Sequence, residues 1–284
     1  MTRSLLIRAL FAGAIIALGA VAANAQGVLI APNVVVIDAR TRSTAVTLVN
    51  NGVEPAEVNI GAQFGYPMTD SSGAMFLKTF ETVPDSIPSA ANWVRAFPQR
   101  LILAAGERRA VRVLVTPPAS LPTGEYWSRL VVTTRAANAR LASTEGTQGV
   151  QIGLNLEVRS LVPLFYRNGP VNTGVAIGQL SASVVRDSIA LRVPLRREGN
   201  AAFVGSIHAT IRDAKGTVVV RDSLPLGVYY DLAPRMMLKR RSLAAGHYTV
   251  SVDAIASRPD VNASLVLPAK PSQAKTELDV PEGR

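Results

Sequence analysis

The chain has no cysteine, only two histidines and few aromatic residues, which make up 5% of the sequence. The missing thiols exclude disulfides, thiol nucleophiles and thiolate metal sites together. His208 and His247 have no plausible ligand set beside them, which argues against a multi-histidine metal centre. Scarce aromatics leave little on which nucleic-acid bases could stack. Catalytic patterns are absent too: there is no G-x-S-x-G elbow, no Walker loop, no H-E-x-x-H and no G-x-G-x-x-G after a strand. The acids are dispersed, so no pair stands out for acid–base work. Beyond the first residues, no apolar run approaches the ~20 residues of a membrane-spanning helix. The expected protein is therefore not an enzyme, holds no metal or cofactor, binds no nucleic acid and makes no stable membrane insertion.

Apolar residues form 48% of the 284, enough for real cores and too many for wholesale disorder. The length suits two domains of moderate size. Thirty Lys and Arg oppose twenty Asp and Glu, and Arg outnumbers Lys by 25 to 5. The excess is largely scattered, with clusters at Arg196-Arg197 and Lys239-Arg240-Arg241. The second cluster reads as a solvated strand end rather than a phosphate grip. Residues 1–25 read as a secretory signal. Arg3 and Arg8 supply the positive start, Ala9 to Ala22 the apolar stretch, and Ala23-Asn24-Ala25 the small residues before cleavage at Gln26. Cleavage leaves 259 residues (284 − 25) and lowers the formal charge from +10 to +8, because the signal carries two Arg and no acid. The expected location of the mature chain is the periplasm.

Spacing by two recurs along the rest: Thr44-Val46-Leu48, Val58-Ile60-Ala62-Phe64, Val111-Val113-Val115, Val150-Ile152-Leu154-Leu156-Val158, Ile189-Leu191-Val193-Leu195, Val218-Val220, Tyr248-Val250-Val252 and Ala263-Leu265-Leu267. Such spacing places one set of side chains on one face of a sheet. Turn material separates these runs, as in Asn50-Asn51-Gly52, Ala105-Gly106-Glu107 and Asp213-Ala214-Lys215-Gly216. Many short strands without helical patterns indicate an all-β fold of two antiparallel sandwiches. Asn168-Gly169-Pro170 marks a break, so the expected division is 26–166 for the first sandwich and 167–268 for the second. Residues 136–149 look like a loop, and the Pro-, Lys- and Glu-rich stretch 269–284 like a disordered tail. His208 is expected on a surface-facing strand position and His247 in a turn.

Four stretches of the first half resemble the periplasmic chaperones of the chaperone–usher pilus pathway. They are Ala45–Gly52 ending at an Asn turn, Phe97–Glu107 running into Val111-Arg112-Val113, Leu121-Pro122-Thr123-Gly124-Glu125-Tyr126-Trp127-Ser128, and the alternating run Val150–Val158 leading to Leu164-Phe165-Tyr166-Arg167. The resemblance covers residues 28–167; the second half matches only as a generic sandwich. It implies two immunoglobulin-like sandwiches set at an angle, and a chaperone that binds pilin-like subunits and delivers them to an outer-membrane usher. The family works by donor-strand complementation, a form of β-strand addition. The chaperone lends a strand to a subunit whose own sheet is incomplete.

On this reading Val150, Ile152, Leu154, Leu156 and Val158 form the donor strand. They share one face, and burying all five is worth on the order of 10 kcal/mol before association costs. Alternation alone would equally describe any half-buried sandwich strand. The resemblance further implies an interdomain ion pair between Glu125 and Arg167. Where the family places an Arg and a Lys to hold the client's C-terminal carboxylate, this chain has Val34 and Pro163. Arg159, which shares strand parity with Pro163, is the substitute candidate, with Arg40 and Arg42 behind it. Two other readings stay open: an envelope adhesion or structural module of two sandwiches, and an envelope enzyme or sugar-binding protein with a loop-built site.

Overall fold

The computed structural model describes residues 27–137, 156–240 and 243–282. The signal segment 1–25, nearly all of the 136–149 loop, and Val150, Ile152 and Leu154 lie outside the described residues. The described chain is all-β, two immunoglobulin-like sandwiches in sequence, with two 3₁₀ turns and no helix long and apolar enough to cross a membrane.

The first sandwich holds β1 (Val28–Ala31), β2 (Val35–Asp38), β3 (Ser43–Asn50), β4 (Ala56–Thr69), β5 (Met75–Phe80), β6 (Val94–Phe97), β7 (Arg100–Leu103), β8 (Arg108–Val115), β9 (Gly124–Ala136) and β10 (Glu157–Asn168). One sheet runs β1-β3-β8-β6; the other runs β2-β10-β9-β4-β5, with β7 also on β4. The chain crosses between sheets at Pro32, where a residue without an N–H cannot extend the ladder of β1. Alternation does the rest. In β8, Val111, Val113 and Val115 are buried while Arg108 and Arg112 are exposed. Asn50 closes β3 from inside the protein: its amide donates to the carbonyls of Glu54, Leu103 and Ala104 at 2.8, 3.1 and 3.2 Å, and its Oδ1 accepts from Gly52 N. Buried and fully bonded, it holds the β3 turn against the end of β7.

The second sandwich comprises β11 (Thr173–Ile177), β12 (Ser181–Val185), β13 (Ser188–Arg192), β14 (Leu195–Gly199), β15 (Phe203–Arg212), β16 (Val218–Val228), β17 (Asp231–Leu232), β18 (Arg235–Lys239), β19 (Gly246–Ile255) and β20 (Ser272–Val280). The sheet β16-β15-β19-β20 packs its apolar face against two short ladders, β11-β14-β17 and β12-β13-β18. Ile207, Ile211, Val250 and Val252 from the sheet meet Ile189, Leu191, Val193 and Leu195 from the ladders.

Several expectations change. The stretch 269–284 is not a disordered tail: Ser272–Val280 is the edge strand β20, paired along β19, with Leu278 and Val280 in the core. The first sandwich does not end at 166, since β10 runs through Arg167 to Asn168, beyond the expected division. Ala263–Leu265 is a 3₁₀ turn rather than a strand, because the Asn262 side chain accepts from Ser264 N and caps it. His247 lies in β19 opposite Asp279, and its Nδ1 pairs with that carboxylate. His208 is exposed on β15.

The role of β20 has a direct check. Leu278→Ala should lower the stability of the second sandwich by ~2–5 kcal/mol in chemical denaturation, as for other buried leucines. Lys275→Ala, on the exposed face of the same strand, should stay within ~0.5 kcal/mol of the parent. Equal, negligible effects would return the segment to the status of a tail.

Candidate functional site

Strand β10 pairs with β9 along its whole length, from Glu157 opposite Arg135 to Asn168 opposite Gly124. On its other side β2 covers only Leu164 to Arg167, in parallel. From Glu157 to Pro163, no strand among the described residues occupies that second edge. Among the described residues nothing pairs with the backbone donors and acceptors along that stretch of the edge, the arrangement that invites another strand to pair.

The side chains sharpen this picture. Val162, Leu164 and Tyr166 point into the sandwich and are buried. Leu156 and Val158 have the same parity and therefore the same face, yet they are 66% and 41% exposed. Val158 stands in a row with Thr134 of β9 and Val58 of β4, and Val58 is fully buried. The apolar face thus begins as core and runs out past the core's end, uncovered. Leu156 and Val158 are the two described members of the expected donor set, and the structure places both beside the open edge.

Arg159 sits on the opposite face, where its Nη2 donates to Gln63 Oε1 at 3.3 Å. Pro163 is on that face too, opposite Arg129 of β9. Val34 is buried among Phe64, Trp127 and Phe165 rather than turned to solvent. Neither Val34 nor Pro163 offers a group that could bind an anion.

Glu125 and Arg167 face one another across β9 and β10, with Arg167 Nε 3.0 Å from Glu125 Oε2. Both belong to the first sandwich, so the pair does not itself span two domains. Each partner instead reaches the second sandwich through backbone. Glu125 Oε1 accepts from Ala202 N at 3.0 Å as well as from Trp127 Nε1 at 3.0 Å, and Arg167 Nη2 donates to Leu265 O at 3.0 Å. Only 1% of the Glu125 side chain is exposed. Three donors from two domains therefore converge on one desolvated carboxylate.

Around this carboxylate lies a layer that the sequence reading did not contain. Arg129 is buried; its Nε donates to Gly65 O at 3.0 Å and its Nη2 to the Tyr229 hydroxyl at 3.1 Å. The guanidinium also lies over the Tyr229 ring. Burial pushes the Tyr229 phenol above its ordinary pKa, against the opposing pull of Arg129, so it remains neutral. Trp127 meets Tyr229 and Tyr230 edge-on at 4.9 and 5.4 Å, and Arg197 covers both Trp127 and Tyr230. The nearest sequence signal was Ser128-Arg129, a polar pair within the otherwise apolar Trp127–Val132 stretch. The partner of Arg129, Tyr229, lies a hundred residues away and carried no signal. No cluster of three metal-ligating side chains occurs among the described residues.

A scan against models of protein families matches none, and a search of curated proteins finds no relative. Among solved structures the chain is similar to the YadV chaperone, at 18% identity and a TM-score of 0.43, over 88% of this chain and 99% of that one. It is similar to a chaperone–tip adhesion subunit pre-assembly complex, CsuC–CsuE, from the archaic chaperone-usher Csu pili of Acinetobacter baumannii, at 16% identity and 0.43, over 89% and 98%. A third is the CupB2 chaperone of Pseudomonas aeruginosa, at 12% identity and 0.43, over 89% and 100%.

The buried pair can be weighed by substitution. Glu125→Ala strands Arg167, the Ala202 amide and the Trp127 indole N–H without their acceptor, and should cost ~3–5 kcal/mol in denaturation followed by circular dichroism. The double replacement Glu125→Leu with Arg167→Met should cost clearly less than the two single changes added together.

Proposed function

We propose that this protein is a periplasmic chaperone of the chaperone–usher type, which holds pilin-like subunits by lending them the edge of β10 and hands them to an outer-membrane usher. The observation that carries the reading is the open edge from Glu157 to Pro163, with Leu156 and Val158 exposed on the face that is core elsewhere in the strand. A subunit lacking a strand has unpaired backbone and an empty apolar groove. An edge offering backbone bonds and alternate apolar side chains answers both needs. Val150, Ile152 and Leu154 continue the same alternation in sequence and would lengthen the donor segment. The sequence motifs around Glu125-Tyr126-Trp127 and Leu164-Phe165-Tyr166-Arg167 support the same reading. Glu125 and Arg167 then act as the brace that keeps the strand-lending domain seated on its neighbour. Arg159 is the candidate for the client's terminal carboxylate, since Val34 and Pro163 leave the family's usual position without a cation. Binding of this kind makes and breaks no covalent bond, so the reading requires no cofactor.

Charged substitutions on the exposed apolar face test it. Leu156→Asp and Val158→Asp place carboxylates where a client groove would have to desolvate them, and each should reduce co-purification with a pilin-like subunit at least tenfold. Both sites are solvent-exposed in the free protein, so thermal unfolding should hardly change. Unaltered co-purification would sink the donor-strand reading and leave a two-sandwich envelope module as the better description.

A further inference from the structure

The sheet that carries β10 at one side ends at the other in β5, and β5 is unusual among the edges of this protein. It pairs with β4 from Phe64 opposite Phe80 to Thr69 opposite Met75, and no strand among the described residues covers its far edge. Met75, Phe76 and Leu77 are 40, 45 and 37% exposed. Three consecutive apolar residues in a strand expose apolar surface on both faces at once. Edge strands of soluble proteins are ordinarily blunted by proline, a bulge, charge or a covering loop. Here the sequence Met75-Phe76-Leu77-Lys78-Thr79-Phe80 has one lysine, no proline and no bulge, its pairing to β4 is regular, and five of its six residues are exposed.

The hairpin is also held firmly. Its turn docks on the second sandwich: Arg235 N donates to Gly73 O at 2.9 Å, Arg192 Nη1 to Ser71 O at 3.0 Å, and Ala233 N to Thr69 Oγ1 at 3.0 Å. Gly73 has φ +84°, and a Cβ there would lie 2.6 Å from Arg235 Cβ, so only glycine permits this contact. An exposed strand pinned at its turn is preorganised for pairing, with little ordering entropy left to lose.

We propose that β5 is a self-association edge, and that its occupant is the β5 of a second copy of this chain. Antiparallel pairing about a two-fold axis requires one residue to face its own copy. With Leu77 on the axis, Leu77 meets Leu77, Phe76 faces Lys78 of the second copy, and Met75 faces Thr79. Every facing pair is compatible: an apolar pair at the centre, and a cation beside an aromatic ring on each side. Lys78 already approaches the ring of Phe80 in its own chain, at 5.8 Å from the centroid. A register centred on Lys78 would set like charges opposite one another, and one centred on Met75 or Phe76 would leave Lys78 without a facing ring; of the registers centred on the apolar triplet, only that on Leu77 sets each Lys78 opposite Phe76. The strand contributes six residues from each copy, far fewer than the ~20–30 a side of a standard interface. The dimer is therefore weak and depends on concentration.

The full chain already lacks cysteine, which makes the experiment clean. Sedimentation equilibrium of the purified protein should show a reversible monomer–dimer equilibrium that shifts to dimer as concentration rises, with a Kd on the order of 100 μM. Leu77→Lys should weaken it at least tenfold while the thermal melt is retained. Leu77→Cys should form disulfide-linked dimers under mild oxidation, because the two sulfurs face each other on the axis. Ile102→Cys, more exposed but outside the β5 edge, should remain unlinked under the same conditions. A strictly monomeric parent, or a dimer that survives Leu77→Lys and leaves Leu77→Cys unlinked, overturns the proposal. Because no pilin-like subunit is present, neither result bears on the reading of β10.

Discussion

The architecture turns on one buried carboxylate. Glu125 lies in the first sandwich, yet it accepts a hydrogen bond from the backbone of the second, at Ala202, while its other oxygen holds Arg167. Arg167 in turn bonds the second sandwich at Leu265. Removing either charge would leave the other desolvated and uncompensated, so the two are stable only together. The apolar contacts of Phe64, Trp127 and Phe165 with Ala202, Tyr229 and Val261 supply area around this centre. Apolar packing alone does not dictate an orientation, whereas directed bonds to two particular backbone groups do. The hairpin turn at Ser71 and Gly73 makes a separate attachment to Arg192 and Arg235, so two anchor points fix the seating of the domains.

Strand β10 joins these constraints to the proposed activity. Its C-terminal half is doubly committed: Leu164 and Tyr166 fill the first core, while Phe165 and Arg167 face the neighbouring sandwich. Its N-terminal end is committed on neither count: from Glu157 to Ser160 no side chain enters the core, no strand among the described residues pairs with its second edge as far as Pro163, and the apolar face is open at Leu156 and Val158. The rigid half holds the free half in register, which is what a strand needs if it is to enter a partner's sheet without slipping by a residue. A slip of one would turn every apolar side chain to the wrong face.

Strand alternation made the fold class legible, because a period of two survives whatever packs on either side. It failed where local chemistry competed. Around Ala263–Leu265 the spacing was right, but Asn262 supplied a cap and the backbone wound into a 3₁₀ turn. It failed again in β20, whose exposed face carries Lys275, Glu277 and Asp279 and whose full burial is confined to Leu278 and Val280; composition there looked like a solvated tail. Glu125 and Arg167 could be named from the motifs they sit in, whereas their hydrogen-bond partners could not. Ala202 and Leu265 contribute backbone groups, which leave no trace in residue type. Arg129 and Tyr229 were invisible for a related reason: a buried arginine looks like any surface arginine until a distant phenol is brought to it.

The two open edges lie on opposite sides of one sheet, in the order β2-β10-β9-β4-β5. That placement has a consequence for how they could be used. A client strand added along β10 extends the sheet in one direction, and a second copy added along β5 extends it in the other. The hydrogen-bonding groups involved belong to different strands, and the strands between them keep their existing partners. Occupying one edge therefore removes no bond or apolar surface that the other needs. Any coupling between the two would have to pass through the Glu125–Arg167 centre or the Gly73 docking point, the places where a shift of one sandwich against the other is resisted.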